Sequence, residues 1–166
     1  MSTELKLENR PVSHAWPVPV YAESFVQEQQ LILDTATYAA GDTLADLFPV
    51  VFPESWKVAI FHEVFVLDED DQGIAFDLLF FRAKPTISAK NAVWTTADAE
   101  MRSCIGYARV TSGDYVDLGA NRVAEISNLA RFFPIPATGL LWVGTVSQGA
   151  GTYTAAGVRV KLGFLR

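Results

Sequence analysis

The 166-residue chain has one cysteine and two histidines. A single thiol, Cys104, closes no intrachain disulfide, so stability must come from packing and association, as in a protein synthesised in a reducing cytoplasm. His14 and His62 lie far apart, with no Cys or second His at metal-ligand spacing, so the sequence carries no zinc motif. Charge is scarce too: 19% of residues, with 13 Lys+Arg against 19 Asp+Glu for a net of −6. A chain without any Lys/Arg-rich run lacks the cationic face that nucleic acid requires. No apolar run approaches the ~20 residues of a membrane helix. Met1 to Glu8 shows no basic segment followed by an apolar one, the pattern of a signal peptide. Nucleic acid and membrane are thereby set aside as partners.

What the chain does have is apolar surface. Half of its residues are hydrophobic and 12% are aromatic, which predicts a packed globule. At this length a single domain should bury roughly 70% of the surface its open chain exposes.

Residues 1–24 read as an extended N-terminal arm. Pro11, Pro17 and Pro19 fix φ, remove donors and push their predecessors toward extended geometry. Trp16 and Tyr21 ride on this segment. The arm either docks on a neighbouring subunit or folds along its own domain.

Residues 25–166 read as an all-β domain. Phe25–Tyr38, Trp56–Leu67, Ile74–Arg82, Ile105–Val110, Tyr115–Leu118, Arg122–Ile126, Leu140–Val146 and Val158–Leu165 have strand composition and are separated by polar or Gly-containing turns. Asp68 to Gly73 joins two of them as a hairpin. Leu44–Phe48 reads as one helical turn before Pro49, and Thr96–Cys104 as a short helix capped by Thr96. Many strands without long intervening helices indicate an antiparallel β-sandwich, jelly-roll-like in character. Leu78–Phe81 is apolar on both parities, as in a strand buried on two sides or facing a core and a partner.

The chemistry-bearing patterns are weak. Asp68, Asp70, Gln72 and Gly73 imitate the start of a calcium loop, but Leu79 stands where the bidentate Glu belongs, and the flanks are strands. A solvated hairpin tip, a weak cation site or a contact with a basic patch all fit this turn. His62, within an apolar strand, reads as a packed or interface residue. Ser147 lacks the first glycine of a nucleophile elbow, and Cys104 reads as a small core residue. Gly149 to Thr154 begins like a dinucleotide fingerprint, but Thr154 replaces the third glycine and no helix follows. Asp77 within its apolar strand calls for a cation, with Arg82, Arg122, Arg131 and Arg159 as candidates. Trp56, Trp94 and Trp142 are expected in the core. Phe132 and Phe133 precede Pro134 and Pro136, and so read as a loop whose rings are tucked beneath it or presented to another subunit.

Three segments resemble a family of tailed-bacteriophage virion structural proteins of the capsid decoration, or cement, type. They are LDEDDQGIAFDLLFF at Leu67–Phe81, GDYVDL at Gly113–Leu118, and the end from Gly151-Thr152-Tyr153-Thr154-Ala155 through Leu162-Gly163-Phe164-Leu165. They fall within residues 56–166, so the arm lies outside the resemblance. It implies a small β-domain on the capsid surface of the virion, with no catalytic residue, cofactor or metal to carry over. The implied partners are the major capsid protein and further copies of the chain, in a homo-oligomer such as a trimer. Contacts are expected at Trp16, Tyr21, Phe132, Phe133, Asp68 and Asp70. The alternative is a head-fibre, tail or glycan-binding β-module, with the aromatics and the acidic loop as its ligand patch.

Overall fold

A computed structural model describes residues 23–166; the arm, with Trp16 and Tyr21, lies outside the described residues. Ten strands are β1 Ser24–Gln30, β2 Thr43–Val51, β3 Val58–Asp68, β4 Phe76–Phe81, β5 Cys104–Val110, β6 Tyr115–Asp117, β7 Arg122–Ile126, β8 Arg131–Pro134, β9 Leu140–Ser147 and β10 Val158–Leu165. One α-helical turn, α1, spans Asp98–Met101. All pairings between strands are antiparallel.

The strands form two sheets. One has the order β1-β10-β3-β7-β6, with β8 also on β3; the other has the order β2-β9-β4-β5. The pairs nest: β4 with β5 innermost, then β3 with β7 and β8, then β2 with β9, and β1 with β10 outermost. A long antiparallel hairpin rolled up in this way is a jelly roll, and the all-β sandwich expected from the sequence is the observed class.

Apolar side chains from both sheets meet in one core. Phe61 of β3 lies 4.7 Å from Phe80 of β4, and Phe133 of β8 lies 4.9 Å from Phe80, measured between ring centroids. At the other end Phe164 meets Phe52 edge-on at 4.9 Å, with Phe25 and Trp56 alongside. Burial of each such ring contributes about 1.5–3 kcal/mol.

Several local expectations are corrected. β3 does not keep one parity throughout: Gly163 pairs with Glu63 and Phe164 with Phe61, so His62 is an extra residue in a bulge. The inward residues are therefore Ala59 and Phe61 before the bulge, and Val64, Val66 and Asp68 after it. Leu44–Phe48 is strand rather than helical turn, because pairing with β9 overrides the local signal. Its Pro49 is tolerated because β2 is an edge strand with two register shifts. Of the expected Phe25–Tyr38 strand only Phe25–Gln30 pairs regularly, as part of β1; Leu31, Leu33 and Tyr38 are buried beyond it. The expected Thr96–Cys104 helix shrinks to one turn, since the Thr96 hydroxyl donates to the Thr86 carbonyl at 2.6 Å and Ala97 occupies the cap without a side-chain bond.

The doubly apolar β4 is covered by the protein's own chain. Trp94, on the connection from β4 to β5, stacks on Phe81 at 6.5 Å and lies so close to Gly144 that a Cβ there would meet its ring at 2.5 Å. Trp142 faces the same outer side beneath the Lys84 ammonium, 4.7 Å from its ring centroid. Of the three tryptophans expected in the core, only Trp56 is there. Among the described residues no helix is long and apolar enough to cross a membrane.

Candidate interaction surface

Alternation along the strands sends one set of side chains inward and the other outward. On the six-stranded sheet the outward set is unusually apolar. Ile60 of β3 lies between Leu165 of β10 and Phe132 of β8. Leu67 lies opposite Val123, and Val123 opposite Val116. Val26, Val58, Val116, Leu118 and Phe132 are exposed. The outer side of the four-stranded sheet has Trp94 over it; no described segment covers this one.

Charges thread the same face. Phe65 lies between Lys161 and Glu125, and Lys161 between Phe65 and Glu28. The Lys161 ammonium is 3.5 Å from the Glu28 carboxylate and 5.8 Å from the Phe65 ring centroid. Arg159 is held by Glu69 at 3.0 Å and Glu28 at 3.7 Å. The exposed hydrophobes of this face therefore stand among mutually paired charges.

The adjacent phenylalanines part company. They form a strand rather than a loop, because β8 pairs with Val58–Phe61 of β3. Phe132 is 70% exposed on the outer face, whereas Phe133 is 1% exposed and stacks on Phe61. Of the two expected contacts, Phe133 has no surface to offer.

The acidic turn is turned inward as well. Asp68 is fully buried, and its carboxylate accepts from the backbone N–H of Gly73 at 2.6 Å and of Asp70 at 3.0 Å. Burial pushes its carboxyl above the ordinary carboxylate range, and those N–H donors pull it partly back. Gly73 adopts φ +59°, and a Cβ there would meet Arg122, so the turn needs glycine. Asp70 accepts from the Thr154 N–H at 2.6 Å and its hydroxyl at 2.9 Å. Asp71 accepts from Arg122 at 2.7 Å. Asp68 and Asp70 therefore brace the turn and clasp the loop before β10. Among the described residues no group of three or more His, Cys, Asp or Glu side chains is placed to hold a metal ion.

Asp77 finds its cation in Arg109, directly opposite in the β4–β5 register, and in none of the four arginines expected. Arg122 serves Asp71, Arg159 serves Glu69, and Arg131 lies 5.1 Å from the Tyr107 ring centroid. Ser147 is buried, with its hydroxyl donated to the Gly149 carbonyl at 2.8 Å. The Cys104 thiol is half-buried at the start of β5.

No protein-family model matches the chain, and no curated protein matches it. Among solved structures it is similar to a chain from Desmodium yellow mottle tymovirus, at 13% identity and a TM-score of 0.27, covering 94% of this chain and 87% of that one.

Proposed function

We propose that this is a virion structural protein of the capsid decoration, or cement, type. Its work is adhesion: copies associate with one another and with the major capsid protein, adding contacts across neighbouring shell subunits. Many weak contacts on a closed lattice act multivalently, so no single one has to be strong. The observation that carries this reading is the outer face of the six-stranded sheet. It presents Val26, Val116, Leu118 and Phe132 to solvent, while the buried carboxylates are spent on internal bonds. The resemblance of residues 56–166 to phage decoration proteins points the same way. Jelly rolls serve in both viral capsids and lectins, so the fold by itself does not choose between them.

The test compares phage heads bearing the protein, heads lacking it, and heads bearing a Val116→Asp/Leu118→Asp/Phe132→Asp variant. The protein is expected to co-purify with heads and to raise the temperature at which they release DNA, with the variant losing both effects. Heads equally robust without the protein would overturn the proposal. Sugar binding by the isolated chain, without head binding, would replace it with the glycan-binding module.

A further inference from the structure

The outer face of the six-stranded sheet is banded across its strands, and the register fixes the bands. At one end Leu165, Ile60 and Phe132 lie side by side on β10, β3 and β8. The second band holds Val26, Gly163 and Glu63, and the third Glu28, Lys161, Phe65 and Glu125. At the other end lie Arg159, Leu67, Val123 and Val116. Two largely apolar bands thus enclose two charged ones. Phe132 and Val116, in the outer bands, are 70% and 59% exposed.

The charged bands are not evenly filled. Gly163 leaves a gap in the second band, with Val26 on one side and Glu63 on the other. The Glu63 side chain leans over that gap, since a Cβ on Gly163 would clash with its Cγ. Val26, Glu63, Phe65, Glu125 and Lys161 line a depression of about 380 Å³. Glu28 holds Lys161 and Arg159, whereas Glu63 has no cation partner among the described residues. A gap beside an unpaired carboxylate suits a long cationic side chain, and the exposed Lys161 of the third band is of that kind. Within its own chain Lys161 is turned to Glu28, at 3.5 Å, and lies over Phe65.

We infer that a second copy covers this face, sheet against sheet, about a two-fold axis that crosses the strands between the two charged bands, at the level of Leu162. Such an axis keeps each strand over its own counterpart and reverses the order of the bands. Leu67 then lies over the partner's Ile60, and Val123 over the partner's Phe132. Lys161 enters the gap at the partner's Gly163, beside the partner's Glu63. Each contact occurs twice, as a two-fold interface requires. An axis along β3 would instead set Glu63 on the partner's Glu63, a juxtaposition that like charges oppose. Sheets packed face to face keep their strands within about 30° of alignment, which preserves the matching of strand to strand at the centre. This inference rests on the self-association in the proposed function and specifies the surface and its pairing.

Light scattering on the full chain is expected to give twice the 18.2 kDa chain mass. Lys161→Glu sets two carboxylates against each other at both copies of the contact, and Glu63→Lys sets two ammonium groups there. Each variant alone should scatter as monomer. Mixed in equal amounts, the two should recover the dimer mass, because every contact between positions 161 and 63 then joins unlike charges. Rescue by mixing requires contacts between chains and shows that both variants are folded. A monomeric wild-type chain overturns both this inference and self-association. An oligomer of another size, an oligomer indifferent to the two substitutions, or variants that stay monomeric when mixed overturns the inference alone.

Discussion

Asp77 and Arg109 face each other across the β4–β5 ladder, and the guanidinium donates from Nε and Nη2 to the two carboxylate oxygens at 2.7 and 2.8 Å. The pair is unequal: the Asp77 side chain is 12% exposed and the Arg109 side chain 52%. Removing either partner has different consequences, because a stranded surface arginine is hydrated, whereas a stranded carboxylate in a nearly closed site is not. Arg109→Ala should therefore lower the urea midpoint more than Asp77→Ala does. Gln148, whose amide donates to Asp77 at 3.0 Å, moderates the loss. Equal shifts in the two variants would contradict this account.

Phe132 and Phe133 provide a comparison between adjacent residues. Phe133 packs among Phe61 and Phe80, so Phe133→Ala removes a ring that the core cannot replace, and should cost about 3–5 kcal/mol in denaturant unfolding. Phe132 touches the solvent side, and Phe132→Ala should stay within about 0.5 kcal/mol for the isolated protein. If the outer face is adhesive, the same Phe132→Ala should weaken attachment to heads. Chemical denaturation and head-binding assays together separate the two roles.

Two tyrosines near Asp68 make stability sensitive to alkali. Burial raises the Tyr115 and Tyr153 hydroxyls well above the ordinary value of 10.0, and the negative charge of Asp68 pushes both further in the same direction. The folded chain thus holds these protons more tightly than the unfolded chain does. Their contribution is intact below the unfolded value of 10.0 and is lost progressively as pH rises from there toward the folded values. The urea midpoint should fall as pH rises above 10.0, and Tyr153→Phe should flatten that fall. An unchanged slope in the variant would show that Tyr153 is not responsible.

The strands β3, β4, β7, β9 and β10 were legible in the sequence because β-branched and aromatic runs between polar turns have few other ways to bury themselves. Which side of each strand faces inward was not. The bulge at His62 reverses the parity of β3, and a one-residue slip moves every side chain across the sheet. β2 was hidden because Leu44–Phe48 before a proline looks helical until its partner β9, about a hundred residues away, is brought beside it. The partner of Asp77 was obscured in a different way. Arg109 follows from counting the register of the β4–β5 pair, but those strands are separated by the long connection that carries Trp94, and hairpin geometry does not set their alignment. Of the expected contacts on described residues, Phe132 lies on the outer face, whereas Phe133, Asp68 and Asp70 serve internal structure. The apolar positions at Val26, Val116 and Leu118 could be recognised as a surface only once the two layers were known.

The clasp between Asp70 and Thr154 ties the β3–β4 turn to the loop that precedes β10. Asp70 accepts two hydrogen bonds from one residue, and the adjacent Glu69 N–H donates to the Gly157 carbonyl at 2.7 Å. The side chain of Gly157 is excluded by the same carboxylate, since a Cβ there would coincide with Asp70 Oδ2. Asp70→Ala should release this loop and cost about 1–2 kcal/mol, with faster amide exchange at Thr154 and Gly157. Thr154→Val keeps the backbone bond and loses only the hydroxyl, so its effect should be smaller. Because the Asp70 carboxylate is already engaged by protein donors, millimolar calcium should not raise the melting temperature of the wild-type chain. A calcium-dependent rise that Asp70→Ala abolished would mean that the turn binds a cation rather than its neighbouring loop.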